Sequence, residues 1–191
     1  MTIFQFLTTC EKLKRILRTG WLLRGIPPSS AENVSSHSHS TAILAFLLAL
    51  QIEERVDINR LLLMALIHDL PEAEIGDIPI SAQQVDPAFR NAKTRAENQA
   101  MLTILDSLPE GLRSQIMNAW TDYSKGKTLE ARLVEAADHL STAIHAAYLV
   151  KSGYPSNKFS TFIDHAESTI RELGIPNTEQ LITEIRQHLE S

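Results

Sequence analysis

The sequence predicts an all-α protein, a helical bundle, on three observations. Apolar residues recur at helical spacing along the chain. No stretch shows a sustained alternation of β-branched residues, the mark of a strand. Helix-start and helix-stop residues punctuate the periodic stretches. Taken in order, Phe4, Leu7, Cys10, Leu13 and Leu17 mark an amphipathic helix ending near Gly20. Gly25 to Ser30, with Pro27 and Pro28, reads as a loop. A helix from about Ser36 to Glu54 follows. Asp57 is the expected N-cap of the next helix, which Leu70-Pro71 ends or bends. Glu72 to Ile75 adds a turn before Gly76, and Asp77 to Val85 reads as a loop. Asp86-Pro87 opens a helix to about Leu108, and Pro109-Glu110 another to about Tyr123. Thr128 caps a helix that Gly153 ends. Phe159 to Leu173 and Thr178 to Leu189 make the last two.

With 191 residues the chain has length for one domain and a full core, and residues 1–191 are expected to form it. The formal net charge of -5 argues against a grip on nucleic-acid polymers, which needs a basic patch. It leaves room for a small anionic substrate. One cysteine, Cys10, excludes an intramolecular disulfide. Together with the lack of a recognisable signal segment, this gives a cytoplasmic expectation. The longest apolar run, Ala42 to Leu50, is too short to span a bilayer, so no membrane partner is expected.

The most informative segment is Leu61-Leu62-Leu63-Met64-Ala65-Leu66-Ile67-His68-Asp69. An ionisable pair at the end of so apolar a run is costly unless something compensates. A divalent metal compensates, and the imidazole-carboxylate mix suits first-row ions. A helix C-terminal cap is the alternative. It suits histidine, but aspartate is disfavoured there. His37 lies upstream in Glu32-Asn33-Val34-Ser35-Ser36-His37-Ser38, and Asp138 downstream in Val134-Glu135-Ala136-Ala137-Asp138.

A histidine, an adjacent His-Asp and a distant aspartate form the ligand order of HD-domain metal-dependent phosphohydrolases. Several further segments narrow the likeness: Arg18 with Trp21, Glu32-Asn33-Val34, His68-Asp69-Leu70-Pro71-Glu72, Gly76-Asp77-Ile78-Pro79, and Glu97 with Ala100. In these the chain resembles the HD-domain 5'-deoxynucleotidase family from about Arg18 to Asp138. The resemblance implies an HD-like bundle with a metal site in its core. Its ligands would be His37, His68, Asp69 and Asp138. It also implies a nucleoside 5'-monophosphate substrate, most of all the deoxy form, and a homodimer. The ion would be one divalent transition metal: manganese, cobalt, iron, nickel or zinc. Glu72 would orient or deprotonate a water, and Asp77 would act near the leaving oxygen or the sugar. Arg18 would hold the phosphate through its bidentate fork, with Arg15 and Arg24 as nearby alternatives. Trp21 would lie beside the sugar, a core position being the alternative.

Other residues carry plainer readings. His39 is expected to line the site or support it. His145, His165 and His188 read as packing or surface residues, and the role of His139 is open. Lys93 and Glu97, four apart on one helix, read as a surface ion pair. Trp120 reads as a bundle anchor. Rival activities on the same fold are a phosphodiesterase or a nucleoside triphosphohydrolase. A non-catalytic nucleotide-binding module would not need Glu72, Asp77 and Arg18, and the chain has all three.

Overall fold

The computed structural model describes residues 2–79, 81, 86–173 and 178–190, and among these every regular element is a helix. The elements are α1 (Ile3–Lys12), a 3-10 turn (Leu13–Arg15), α2 (Thr19–Leu22), α3 (Val34–Ala49), α4 (Ile58–Ile67) and α5 (Glu72–Ile75). They continue with α6 (Pro87–Leu105), α7 (Glu110–Lys125), α8 (Leu129–Lys151), a second 3-10 turn (Ser156–Lys158), α9 (Ser160–Leu173) and α10 (Thr178–Glu190). The all-α expectation is met. Part of the expected loop from Asp77 to Val85 lies outside the described residues.

The chain divides into two compact units. One is residues 1–38 with 66–121, and the other is residues 39–65 with 122–191. In the first, α5 packs against α6, and α1 packs against both. Lys12 Nζ reaches Glu74 Oε1 at 2.6 Å, tying α1 to α5. Buried Trp21, Ile26, Leu70, Met101 and Leu105 contribute its core. In the second, α9 and α10 pack on α8, whose buried face carries Leu133, Leu140, Ala143 and Leu149.

The caps are where local chemistry places them. Asp57 Oδ1 accepts the Arg60 N–H at 3.1 Å and starts α4. Asp86 caps α6 through Ala88 N at 2.8 Å, with Pro87 at the first helical position. Thr128 Oγ1 accepts the Ala131 N–H at 3.2 Å and starts α8. Gly153, at φ 98, lies just past the end of that helix, in a region other residues rarely adopt.

Two expectations need correction. The first helix does not run to Gly20 but stops at Lys12. Beyond the 3-10 turn, Ile16 is extended, and Leu17 forms an antiparallel bridge with Asn33. The bonds are Arg18 N to Glu32 O at 3.0 Å and Val34 N to Ile16 O at 2.9 Å. This non-local pairing overrides the helical periodicity of Leu13 and Leu17. The same helix leaves Phe4 77% exposed, so its N-terminal apolar face is not core. The second correction concerns α3, which begins two residues before Ser36 and ends at Ala49 rather than Glu54. Asn33 Oδ1 accepts both the Ser36 N–H at 2.8 Å and the Ser36 hydroxyl at 2.9 Å, which fixes the earlier start.

Candidate metal centre

The site is built in the first unit from four chain segments. The antiparallel bridge sets the segment carrying Arg18 beside the one carrying Glu32. Asn33 then launches α3, so His37 falls on its first turn, with its N–H donated to Asn33 O at 3.1 Å. Helix α4 stops at Ile67, which leaves His68 and Asp69 in the turn that follows. Pro71 leads into the single turn of α5, and the Glu72 N–H closes that corner by donating to Asp69 O at 3.1 Å. Gly76, at φ 76, ends α5 and turns the chain so that Asp77 comes back toward α2.

His37, His68 and Asp69 come together, with one ligand atom from each lying within 4.8 Å of the others. Asp69 Oδ2 stands 3.2 Å from His68 Nε2 and 3.8 Å from His37 Nε2. The two rings meet edge-on, with centroids 5.4 Å apart. Nitrogen and oxygen donors about 2.1 Å from one ion are themselves roughly 3–4 Å apart, so the trio fits a divalent metal. His37 is fully buried at 0% exposure, whereas His39 is exposed. The helix therefore distinguishes the two histidines, with His37 buried in the trio and His39 at the surface. Asp138, the fourth expected ligand, belongs to the second unit. It is half-buried on α8, and its carbonyl accepts the hydroxyls of Ser141 and Thr142 at 3.1 and 3.2 Å.

Carboxylates crowd this region. Burial pushes the Asp69 carboxyl up, but adjacent His68, then His37 and Arg18, outweigh that and hold it down at about 2. Glu72 is 5% exposed, and its Oε2 accepts no hydrogen bond among the described residues. Burial first, then the charges of Asp69 and Asp77, push it up to about 11. Without added positive charge Glu72 therefore keeps its proton at neutral pH. A buried carboxyl with an unsatisfied oxygen beside three convergent donors is a second sign that a cation suits this site.

The remaining expected residues surround this group. Arg18 Nη1 lies 3.6 Å from Asp69 Oδ2, and its Nε lies 3.9 Å from Glu32 Oε1. Of the alternatives, Arg24 donates to Gly20 O at 3.1 Å, and Arg15 is exposed. Asp77 is tied to α2. Its carboxylate accepts the Thr19 N–H, and its carbonyl accepts the Thr19 hydroxyl at 3.0 Å. Trp21 takes the core position, 1% exposed, with Nε1 donating to Glu32 Oε1 at 3.1 Å.

Two residues outrun the sequence reading. Lys93 and Glu97 form an ion pair at 2.8 Å, but their side chains are only 18% and 20% exposed. Burial alone would lower the Lys93 ammonium. The bond to Glu97 and the charges of Glu72 and Asp69 outweigh it and hold the group raised. Lys93 is therefore a largely buried ion-pair partner close enough to feel the site's carboxylates, not a plain surface charge. Its signal was weak because an i, i+4 Lys-Glu pair is the commonest pattern of a solvated face. Glu32 is the other, visible in sequence only as part of a motif.

Residues 10–177 match the HD domain family. Human 5'-deoxynucleotidase HDDC2 is 29% identical over 184 residues, covering 96% of this chain and 84% of the relative. The Danio rerio 5'-deoxynucleotidase HDDC2 is 36% identical over 145 residues, covering 75% of this chain and 68% of the relative. A conserved hypothetical protein from Pyrococcus furiosus superposes with a TM-score of 0.75 at 34% identity, covering 96% of this chain and 99% of that one. A predicted metal-dependent phosphohydrolase from Magnetospirillum magnetotacticum superposes with a TM-score of 0.67 at 28% identity, covering 97% and 94% of the two chains.

The raised Glu72 carboxyl makes the stability of the metal-free protein depend on pH. The folded chain holds a proton up to about pH 11 that the unfolded chain releases near pH 4.5. The folded state thus binds more protons across that window, and its stability falls as pH rises. Asp69 acts oppositely, but its contribution is lost only as pH falls from 3.8 toward about 2. The melting temperature of metal-free protein should therefore decline from about pH 5 to about pH 9, and the slope should flatten in Glu72→Gln. Melts followed by circular dichroism check this. Equal slopes in both proteins would contradict it.

Proposed function

The chain belongs to the HD domain family, and from that premise we propose that it is a metal-dependent phosphomonoesterase acting on nucleoside 5'-monophosphates. The observation that carries the reading is the convergence of His37, His68 and Asp69 beside buried Glu72, with Arg18 at its edge. Relatives named 5'-deoxynucleotidase along most of the chain supply the substrate class and favour the deoxy forms. That family match spans both compact units, which supports treating the chain as one functional domain.

In this reading His37, His68 and Asp69 hold one divalent ion, and Asp138 is its fourth ligand. When bound, the ion would supply Lewis acidity at the phosphoryl group and a lowered pKa for the attacking water. Arg18 binds the non-bridging oxygens and meets the charge that develops on them. Glu72 orients the water and takes its proton as the oxygen attacks phosphorus. The bond from phosphorus to the 5'-oxygen would break, and that oxygen would leave as the nucleoside hydroxyl with a proton from Asp77 beside it, which the proton taken up by Glu72 would replace. Through its bonds to Thr19, Asp77 also fixes the turn that presents Arg18. With Trp21 buried, discrimination at the sugar falls to Asp77 and its neighbours.

The protein is further proposed to work as a homodimer in the cytoplasm. Ile43, Phe46 and Leu47 on α3, with Leu50 just past its end, form an i, i+3, i+4, i+7 stripe that is left exposed, opposite buried Ala42, Ala45 and Leu48. An apolar stripe of this kind marks an interaction surface. No described helix is long and apolar enough to cross a membrane.

Two measurements test these readings. Purified protein incubated with a divalent-metal panel and matched deoxy and ribo 5'-monophosphates should release phosphate, with a higher kcat/KM for the deoxy forms and no release after chelation. Glu72→Gln should keep nucleotide binding but lose turnover by roughly 10²-fold or more. No release from any monophosphate with any metal would reject the activity, and full turnover in Glu72→Gln would reject the base. Light scattering should give a dimer for the native chain and a monomer for the Phe46→Ser, Leu47→Glu double variant. A native monomer would contradict the dimer, and a dimeric double variant would contradict the α3 stripe.

A further inference from the structure

Glu32 sits at the crossing of the Arg18, Trp21 and His37 side chains and has no part in the mechanism above. Its carboxylate is 8% exposed. One oxygen, Oε1, accepts the Trp21 indole N–H at 3.1 Å and stands 3.7 Å from His37 Nδ1 and 3.9 Å from Arg18 Nε. Its backbone carbonyl also accepts the Arg18 N–H at 3.0 Å. Side chain and main chain of one residue thus hold the segment from Arg18 to Trp21 against the start of α3.

The His37 ring lies between two carboxylates. Nε2 faces Asp69 Oδ2 at 3.8 Å, on the side of the ligand trio, and Nδ1 faces Glu32. A neutral imidazole carries one N–H, and a carboxylate beside one nitrogen draws the proton there, leaving the lone pair on the other for a metal. The 3.7 Å separation is an electrostatic contact a few tenths of an ångström beyond hydrogen-bond reach. Arg18 is placed in the same way, spanning Glu32 through Nε and Asp69 through Nη1. We propose that Glu32 is the positioning residue of this centre, a single carboxylate that sets which nitrogen His37 offers to the metal and keeps Arg18 in register with it. The proposal deepens the metal-dependent reading and rests on it. It accounts for the burial of Trp21, whose indole N–H holds Oε1 in place, and for the antiparallel bridge that brings the two segments together.

The test uses the full chain and Zn²⁺. Glu32→Gln keeps an oxygen acceptor for the indole and removes the charge, so a purely structural role would survive it. The expected result is a melting temperature close to that of the native chain with Zn²⁺ affinity about 10- to 100-fold weaker, the usual scale for a lost outer partner of a histidine ligand. KM for a nucleoside monophosphate should also rise at saturating Zn²⁺, because Arg18 loses its brace. Nitrogen-15 NMR of the zinc-loaded native protein gives a readout that does not depend on the variant folding. It should find His37 protonated at Nδ1 and bound through Nε2. Native zinc affinity in Glu32→Gln, or zinc on Nδ1 of His37, would overturn the proposal. A native chain that binds no Zn²⁺ or other divalent ion would overturn the metal reading itself, and the proposal with it.

Discussion

Burying the carboxyls of Asp69 and Glu72 within one tight corner of chain costs several kcal/mol unless positive charge faces them. Around that corner stand Glu32 and Asp77 as well, against Arg18 and a Lys93 already engaged by Glu97. Left to itself the region resolves the conflict by protonating Glu72, the more deeply buried carboxyl. A divalent cation resolves it differently. On the proposed reading, a bound ion would meet the Asp69 charge and the two imidazole nitrogens, and Glu72 would then ionise. If Glu72 is the base, as proposed, metal affinity and chemistry would share one physical origin in this crowding of carboxyls.

The backbone of the first unit is arranged to sustain that corner. The bridge between Leu17 and Asn33 sets Arg18 beside Glu32, and the Asn33 cap starts α3 four residues before His37. The end of α4 at Ile67 exposes His68 and Asp69 to the turn instead of continuing the helix, and Gly76 swings Asp77 back onto Thr19. Each device positions a different polar group. Fixing donors on capped helices and short turns reduces the reorganisation that binding a metal and a phosphate demands.

Much of this was legible in the sequence because it is local. Asp57, Asp86 and Thr128 cap the helices they were expected to cap, and the turn from Glu72 to Ile75 stops at Gly76. His68 and Asp69 stood out because their burial conflicts with an apolar helix. What could not be read was non-local. The periodicity of Leu13 and Leu17 carries no trace of the pairing with Asn33 that breaks the first helix. Phe4 and Leu7 look like core on a helical wheel, yet the structure leaves them open. Lys93 and Glu97 look like solvent-facing charges until α6 is packed against α5. Trp21 and Glu32, eleven positions apart, reveal their bond only once the bridge has formed.

Elemental analysis reads directly whether a divalent ion belongs at His37, His68 and Asp69. The native chain, purified without chelator and dialysed against trace metal, should hold about one divalent ion. His68→Ala, checked by circular dichroism for retained helix, should lose most of it. Full occupancy in a folded His68→Ala protein would place the ion elsewhere, because the corner would then lack a ligand on which this metal site depends.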